Sequence, residues 1–192
     1  MENKKQTYVI EHLEPKLFPW CLIEYKSISK IVGKSNLWFT NIKQKDKSKL
    51  EKYGKVFTAS VKSMKLDSPC ILNPEASQLL IPKDSDKFKY FIFGGILGDY
   101  PPRKRTTEEL TKFVKGKQRH IGKQQFSTDN AVYVVHEIAK GKKMNWIKFK
   151  NKIKIRINDI ESIILPYYYP LIKGNPRIST ELIKLLKNKK EF

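Results

Sequence analysis

At 192 residues, with 40% hydrophobic and 11% aromatic content, the chain has enough apolar material to bury one substantial core, which excludes a disordered polycation. Its formal charge of +20, from 39 basic and 19 acidic residues, therefore belongs to a folded surface, where it attracts polyanions such as rRNA, tRNA and ribosomal surfaces. Of the 39 basic residues 34 are Lys and 5 are Arg, so part of this charge reads as compositional bias, and arginine marks places where a planar fork is wanted. Cys21 and Cys70 both sit in apolar surroundings and read as buried thiols, with no disulfide framework or zinc spacing. His12, His120 and His136 have no metal-ligand spacing either, and no run is long enough to cross a bilayer. The expectation is an intracellular, cytoplasmic protein without metal or membrane partner.

Residues 7–11 begin as a short strand, and the segment after Pro19 carries Cys21, Tyr25, Ile28 and Val32 on one face of a helix that Gly33 closes. A second strand follows at residues 36–40, then a lysine-rich stretch with a short helix ending at Gly54. Cys70-Ile71-Leu72 makes a third strand running into Asn73-Pro74, and residues 90–93 a fourth, wholly apolar as in a strand covered on both faces. That fourth strand breaks into Gly94, Gly95 and Gly98, followed by Asp99 and Arg103; glycines here let backbone groups approach a small ligand closely. Thr106-Thr107-Glu108-Glu109 reads as a capped helix start, residues 116–118 as a turn, residues 119–121 as a short strand, and residues 122–127 as a second polar loop. Ser127 or Thr128 caps the clearest helix, whose apolar face is Ala131, Val134, Val135 and Ile138. Residues 152–157 alternate strictly and predict an edge strand with a cationic outer face. Residues 162–165 are a further strand, residues 166–170 a stiff aromatic turn, and Ser179 caps a last helix carrying Leu182, Ile183, Leu185 and Leu186.

Strands and helices alternate through the first two thirds, which predicts an α/β fold with a largely parallel sheet, and residues 1–192 read as one domain in which 141–192 form a C-terminal extension. Ligands of such sheets bind beyond the carboxyl ends of the strands, so three loops (73–75, 94–103 and 122–128) are expected to enclose one small molecule. The glycine spacing is not G-x-G-x-x-G and no G-x-x-x-x-G-K-[ST] occurs, which disfavours a Rossmann dinucleotide enzyme and a P-loop NTPase.

Residues 90–106 and 119–131, with Ile10-Glu11-His12-Leu13-Glu14, Trp20, Glu24-Tyr25 and Ile71-Leu72-Asn73-Pro74, resemble the knotted SPOUT methyltransferases. They are most similar to the archaeal and eukaryotic subgroup whose fungal member methylates an arginine of a small-subunit ribosomal protein. The resemblance spans most of residues 8–128 and weakens beyond Gly141. It implies a deep trefoil knot in the C-terminal half and S-adenosylmethionine as cofactor. The pocket it implies consists of Leu72, Asn73 and Pro74; Phe93, Gly94, Gly95, Ile96, Leu97 and Gly98; and Ile121, Gly122, Gln125, Phe126, Ser127 and Thr128. Its expected partner is a ribosomal protein or ribosomal subunit. Methyl transfer to a guanidinium needs in-line positioning and carboxylates that accept its forked hydrogen bonds, and no metal. Asp99 and Glu11 are the favoured carboxylates, with Glu14 and Glu24 nearby in sequence. Arg103 and Arg119 are left with three roles open: binding the cofactor's carboxylate, bracing the loops, or contacting an acidic substrate. Two alternatives stand beside this reading: a SPOUT enzyme acting on tRNA or rRNA, and a catalytically silent RNA- or ribosome-binding protein. Residues 152–157 and Tyr167-Tyr168-Tyr169 are the candidate basic, aromatic face for RNA contact.

Overall fold

The computed structural model describes residues 6–98, 101, 103–158 and 160–188. Strand β1 (Thr7–His12) leads into helix α1 (Pro19–Val32), which starts on Pro19 because a helix's first residue needs no N–H partner, and ends at Gly33 with φ +80°. β2 (Leu37–Thr40), the single turn α2 (Lys47–Leu50) and the two-residue β3 (Lys55–Val56) follow. β4 (Pro69–Leu72), a second short turn α3 (Pro82–Ser85) and β5 (Tyr90–Gly95) come next. After β5 the chain passes through a π-helical turn, Thr106–Thr111, then β6 (Lys117–Arg119) and α4 (Thr128–Ala139).

The six strands form one parallel sheet in the order β3-β2-β1-β5-β4-β6. Alternation along β1 and β5 sends Tyr8, Ile10, Phe91 and Phe93 to one face, where the Cys21, Tyr25, Ile28 and Val32 stripe of α1 and Val132, Val135 and Ile138 of α4 cover them. Val9, Ile71 and Ile92 fill the other face with Val61 and Leu110. Each fully buried aliphatic chain contributes about 2 kcal/mol, and a sheet covered on both faces explains why β5 is apolar at consecutive positions. Both cysteines lie in this core as free thiols, with burial pushing each thiol up to about 12.

The C-terminal portion is a second, antiparallel sheet of β7 (Phe149–Arg156), β8 (Ser162–Ile172) and β9 (Asn175–Pro176), followed by α5 (Thr180–Lys187) with Ser179 Oγ accepting from Glu181 N at 3.2 Å. Its core of Ile153, Ile155, Leu165, Tyr169, Leu182 and Leu186 is joined to α1 by Trp20 and Ile23.

Four expectations change, one of them at α4, where the N-cap residue Ser127 makes no side-chain capping bond. The aromatic segment 166–170 is the middle of the long strand β8 rather than a turn, because its prolines sit where the pairing geometry tolerates them and Tyr167 and Tyr169 point inward. Strand β6 begins at Lys117, where a turn was predicted, since the chain pairs in register with Cys70. Thr106 does not cap a regular helix: the turn there is π-helical and has no side-chain cap. No helix among the described residues is long and apolar enough to cross a membrane.

Candidate active site

At the carboxyl ends of β4, β5 and β6 a cavity of about 270 Å³ opens between the three loops that follow them. Leu72, Asn73, Pro74 and Glu75 form one wall, and Phe93, Gly94, Ile96 and Gly98 a second. The third runs from Arg119 through Ile121, Gly122, Gln125 and Phe126 to Thr128 and Ala131 at the start of α4. Arg103, Lys104, Arg105, Thr106 and Thr107 complete the rim.

Asn73 ties these walls together. Its backbone N donates to Arg119 O at 2.9 Å and its Nδ2 to Gln118 Oε1 at 3.2 Å, while its Oδ1 accepts from Glu75 N and Thr107 Oγ1, both at 3.1 Å. One buried amide therefore fixes the β4, β6 and π-turn segments relative to one another. Arg105 does the same for the β1 and β5 loops. Its Nη1 donates to Glu14 Oε1 at 2.8 Å, its Nε to Glu109 Oε1 at 2.7 Å and its Nη2 to Leu13 O at 3.2 Å, and the same Glu14 oxygen accepts from Leu97 N at 2.9 Å. A lysine has no such fork.

Tyr167 and Tyr168 in β8 hold two of the lining loops from behind. Tyr167 Oη donates to Gly98 O at 3.1 Å, and Tyr168 N donates to Gln125 O at 2.9 Å. Neither contact was legible in the sequence, because the Tyr run read as a turn beyond the pocket and its apolar residues do not alternate with polar ones.

Of the residues expected to hold a cofactor, Gly95, Leu97 and Ser127 do not line the cavity. Gly95 faces the buried Tyr25 hydroxyl, Leu97 packs into the main core, and Ser127 Oγ donates to Asp129 Oδ1 at 2.8 Å. Arg103 lies on the rim. Asp99 lies outside the described residues. Glu11 is away from the cavity and fully buried: Thr40 Oγ1 donates to it at 2.5 Å, Val61 N at 2.9 Å, and Ser60 Oγ also donates to it. A carboxylate with its lone pairs so committed braces the β2 and β3 ends of the sheet, and this position gives it no route to a substrate in the cavity. His12 is also buried, with Nδ1 2.8 Å from Tyr25 Oη, and desolvation lowers its pKa.

Glu24 lies under the C-terminal sheet, 4% exposed, with Trp20 Nε1 donating to it at 2.8 Å. Burial and then the Asp129 carboxylate raise its pKa to about 8, while bonds from Trp20 and Thr128 lower it. Beside it Arg177 bridges the halves of the chain, with Nη1 on Asp129 Oδ2 and Asn130 Oδ1, both at 2.8 Å, and Nη2 on Ser27 Oγ at 2.6 Å.

The electrostatics of the rim suit a ligand that carries both signs. Lys104 pairs with Glu75 at 2.8 Å, Arg105 with Glu14 and Glu109, and Arg119 with Asp84, so these cations are neutralised in place and do not repel a positive ligand. Arg119 holds Asp84 below the usual carboxylate range. Gln125 Oε1 is buried without a partner among the described residues and is an acceptor for a ligand's amino or hydroxyl group. At Gly98 a Cβ would run into Gln125 Nε2 and the Tyr167 ring, so only glycine leaves that cradle open. Among the described residues no group of three His, Cys, Asp or Glu side chains is placed to hold a metal.

A parallel sheet with a ligand cavity at its carboxyl edge, walled by glycine-rich backbone, defines a protein that binds a small cofactor-sized molecule. Residues 7–191 match the family described as "Protein arginine N-methyltransferase SFM1-like", and the chain belongs to that family. It is 33% identical over 199 residues to the protein arginine N-methyltransferase SFM1 of Saccharomyces cerevisiae, covering 94% of this chain and 93% of that one. The fold is similar to the yeast SFM1 crystal structure complexed with SAH (32% identity, 97% of both chains, TM-score 0.86). It is also similar to the SFM1 structure complexed with SAM (33% identity, 95% of this chain and 90% of that one, TM-score 0.84). A Trm10 from Thermococcus kodakaraensis shares the fold alone (17% identity, 73% of this chain and 96% of that one, TM-score 0.60).

Proposed function

We propose that this protein is an S-adenosylmethionine-dependent protein arginine methyltransferase whose substrate is a small-subunit ribosomal protein. The observation that carries the proposal is the cavity between the three strand-end loops, in a chain one third identical over nearly its whole length to an arginine methyltransferase solved with SAM and with SAH. The residues fit such a cofactor: Gln125 Oε1 offers an unused acceptor, Gly94 and Gly98 admit close backbone approach, and Lys104, Arg105 and Arg119 on the rim are already paired with carboxylates. When bound, S-adenosylmethionine supplies an activated methyl group.

The chain's own part is positioning. Asn73 and Arg105 hold the loops rigid, so that the cofactor is gripped in one pose, and Tyr167 keeps the Gly98 loop against β8. The acceptor guanidinium must lose a proton, to a carboxylate or to solvent, as its nitrogen takes the methyl, and a carboxylate beside it orients it and disperses that charge. We assign this role to Asp99, which follows the cavity-lining Gly98 in sequence; Arg103 on the rim contacts the cofactor or the substrate. The trefoil knot implied by the resemblance and a cytoplasmic location belong to the same reading, as does a single working domain over residues 1–192. Support for the last is the Arg177 bridge between Ser27, Asp129 and Asn130.

The test has two stages. Calorimetry with S-adenosylhomocysteine is expected to show binding at one site, and labelled S-adenosylmethionine is expected to mark a ribosomal protein with methylarginine, lost in Asp99→Ala. Label in RNase-sensitive material would replace this reading with the RNA methyltransferase. Tight cofactor binding with no transfer to any ribosomal protein would remove the substrate assignment.

A further inference from the structure

Residues 140–158 hold eight basic residues in nineteen and no acidic one, against 39 basic and 19 acidic in the whole chain of 192. That local excess is twice the average, so the chain's general lysine bias does not produce it. The segment folds as the lead into β7 and the edge strand itself. Lys143, Lys148, Lys150, Lys152, Lys154 and Arg156 are all exposed, and none lines the cavity. Ile153 and Ile155 point into the core, which leaves Lys154 and Arg156 on the outer face opposite Ile164 and Ser162. Lys152, at φ +59°, sits in the β-bulge between Asn151 and Ile153 and is exposed there.

Just ahead of β7 in the chain stands an exposed indole. Trp146 is 61% exposed, and Lys143 Nζ stands 5.5 Å from its ring. Guarding an edge strand from aggregation takes a lysine or two, and an exposed tryptophan defeats that purpose. The other aromatics expected to form a nucleic-acid face are elsewhere: Tyr167 and Tyr169 are buried, and Tyr168 packs on Phe126 and Phe149.

We propose that the outer face of β7, with Trp146, is a docking surface for single-stranded RNA, separate from the cavity. The lysines neutralise phosphates and the indole stacks on a base, a pairing that binds single strands without reading sequence. An acidic protein segment would use the cations and leave the ring idle, which favours RNA. The inference does not depend on the methyl acceptor, because it concerns residues outside the cavity.

The experiment is fluorescence anisotropy of the full chain with a labelled single-stranded RNA of mixed sequence, about 20 nucleotides long. The triple variant Lys152→Gln, Lys154→Gln, Arg156→Gln is expected to bind about ten-fold more weakly and to lower the salt slope by about 2. Trp146→Ala is expected to weaken binding several-fold with the slope unchanged. A charge-matched control, Lys34→Gln, Lys45→Gln, Lys65→Gln, on the parallel-sheet half, is expected to have little effect. Equal loss in the control and the β7 variant would show that net charge alone attracts RNA and would overturn the proposal. So would polyglutamate displacing the RNA at equal charge, with Trp146→Ala binding as well as the unaltered protein. In all variants calorimetry with S-adenosylhomocysteine is expected to be unchanged, so failure here and failure of the methyltransferase reading are read separately.

Discussion

Gly95 and Gly98 stand three residues apart, yet a methyl group at each meets a different kind of neighbour. At Gly95 it runs into the hydroxyl of Tyr25, a fully buried ring that has no room to move. Gly95→Ala is therefore expected to cost about 2–3 kcal/mol of stability by overpacking, measured by urea denaturation. At Gly98 the obstacle is the end of the Gln125 side chain and the Tyr167 ring, at the cavity wall. Gly98→Ala is expected to cost about 1–3 kcal/mol of stability, because the buried Tyr167 ring must shift, and to weaken S-adenosylhomocysteine binding about ten-fold, since the displaced Gln125 carries the cavity's unused acceptor. Glu24 gives a pH prediction. Its folded-state pKa, about 8, lies above its ordinary value of 4.5, so the folded state holds a proton that the unfolded state has released. Its stabilising contribution is present below about 4.5 and is lost as pH rises towards about 8. Thermal denaturation at acid, neutral and alkaline pH is expected to show Glu24→Gln gaining stability relative to the unaltered protein as pH rises through that window. A constant difference would contradict the assignment.

At the scale of elements, β8 is tied to the Gly98 and Gln125 loops and Arg105 to the β1 and β5 loops, and one substitution probes each. Tyr167→Phe removes the bond to Gly98 O and is expected to cost about 1 kcal/mol of stability, with S-adenosylhomocysteine affinity falling several-fold by calorimetry. Arg105→Lys keeps the charge but loses the fork that holds Glu14, Glu109 and Leu13; about 1–3 kcal/mol is expected to be lost, together with cofactor affinity. The helices α1 and α4 were legible in the sequence because their apolar residues recur at helical spacing and each meets a continuous core. β8 was not. Its two prolines read locally as turn formers, and only pairing with β7 and β9 makes residues 162–172 one strand. The π-helical turn escaped for a similar reason: Thr-Thr-Glu-Glu is a helix start by local propensity, and the Thr107 bond to Asn73 and the Arg105 clamp override it.

Over the whole molecule, a charge of +20 repels itself, so the folded state is held together against its own field. Raising salt from about 20 mM to about 300 mM shortens the screening length and is expected to raise the melting temperature by a few degrees. The same change weakens RNA binding at β7, so the two effects of salt run in opposite directions. Saturating S-adenosylhomocysteine, at about 100 times its dissociation constant, is expected to add about 2.7 kcal/mol of stability.

The sequence by itself determined the alternation of strand and helix, the apolar faces of α1 and α4, and the three loops that follow β4, β5 and β6. These are properties of periodicity and glycine placement, which act over a few residues. Only the tertiary structure decided that Glu11 is a brace, that Arg105 and Asn73 lock the loops, and that β8 holds the Gly98 loop. Those roles depend on which groups meet across tens of residues, and a carboxylate's identity in the sequence does not reveal whether a hydroxyl or a ligand will occupy its lone pairs.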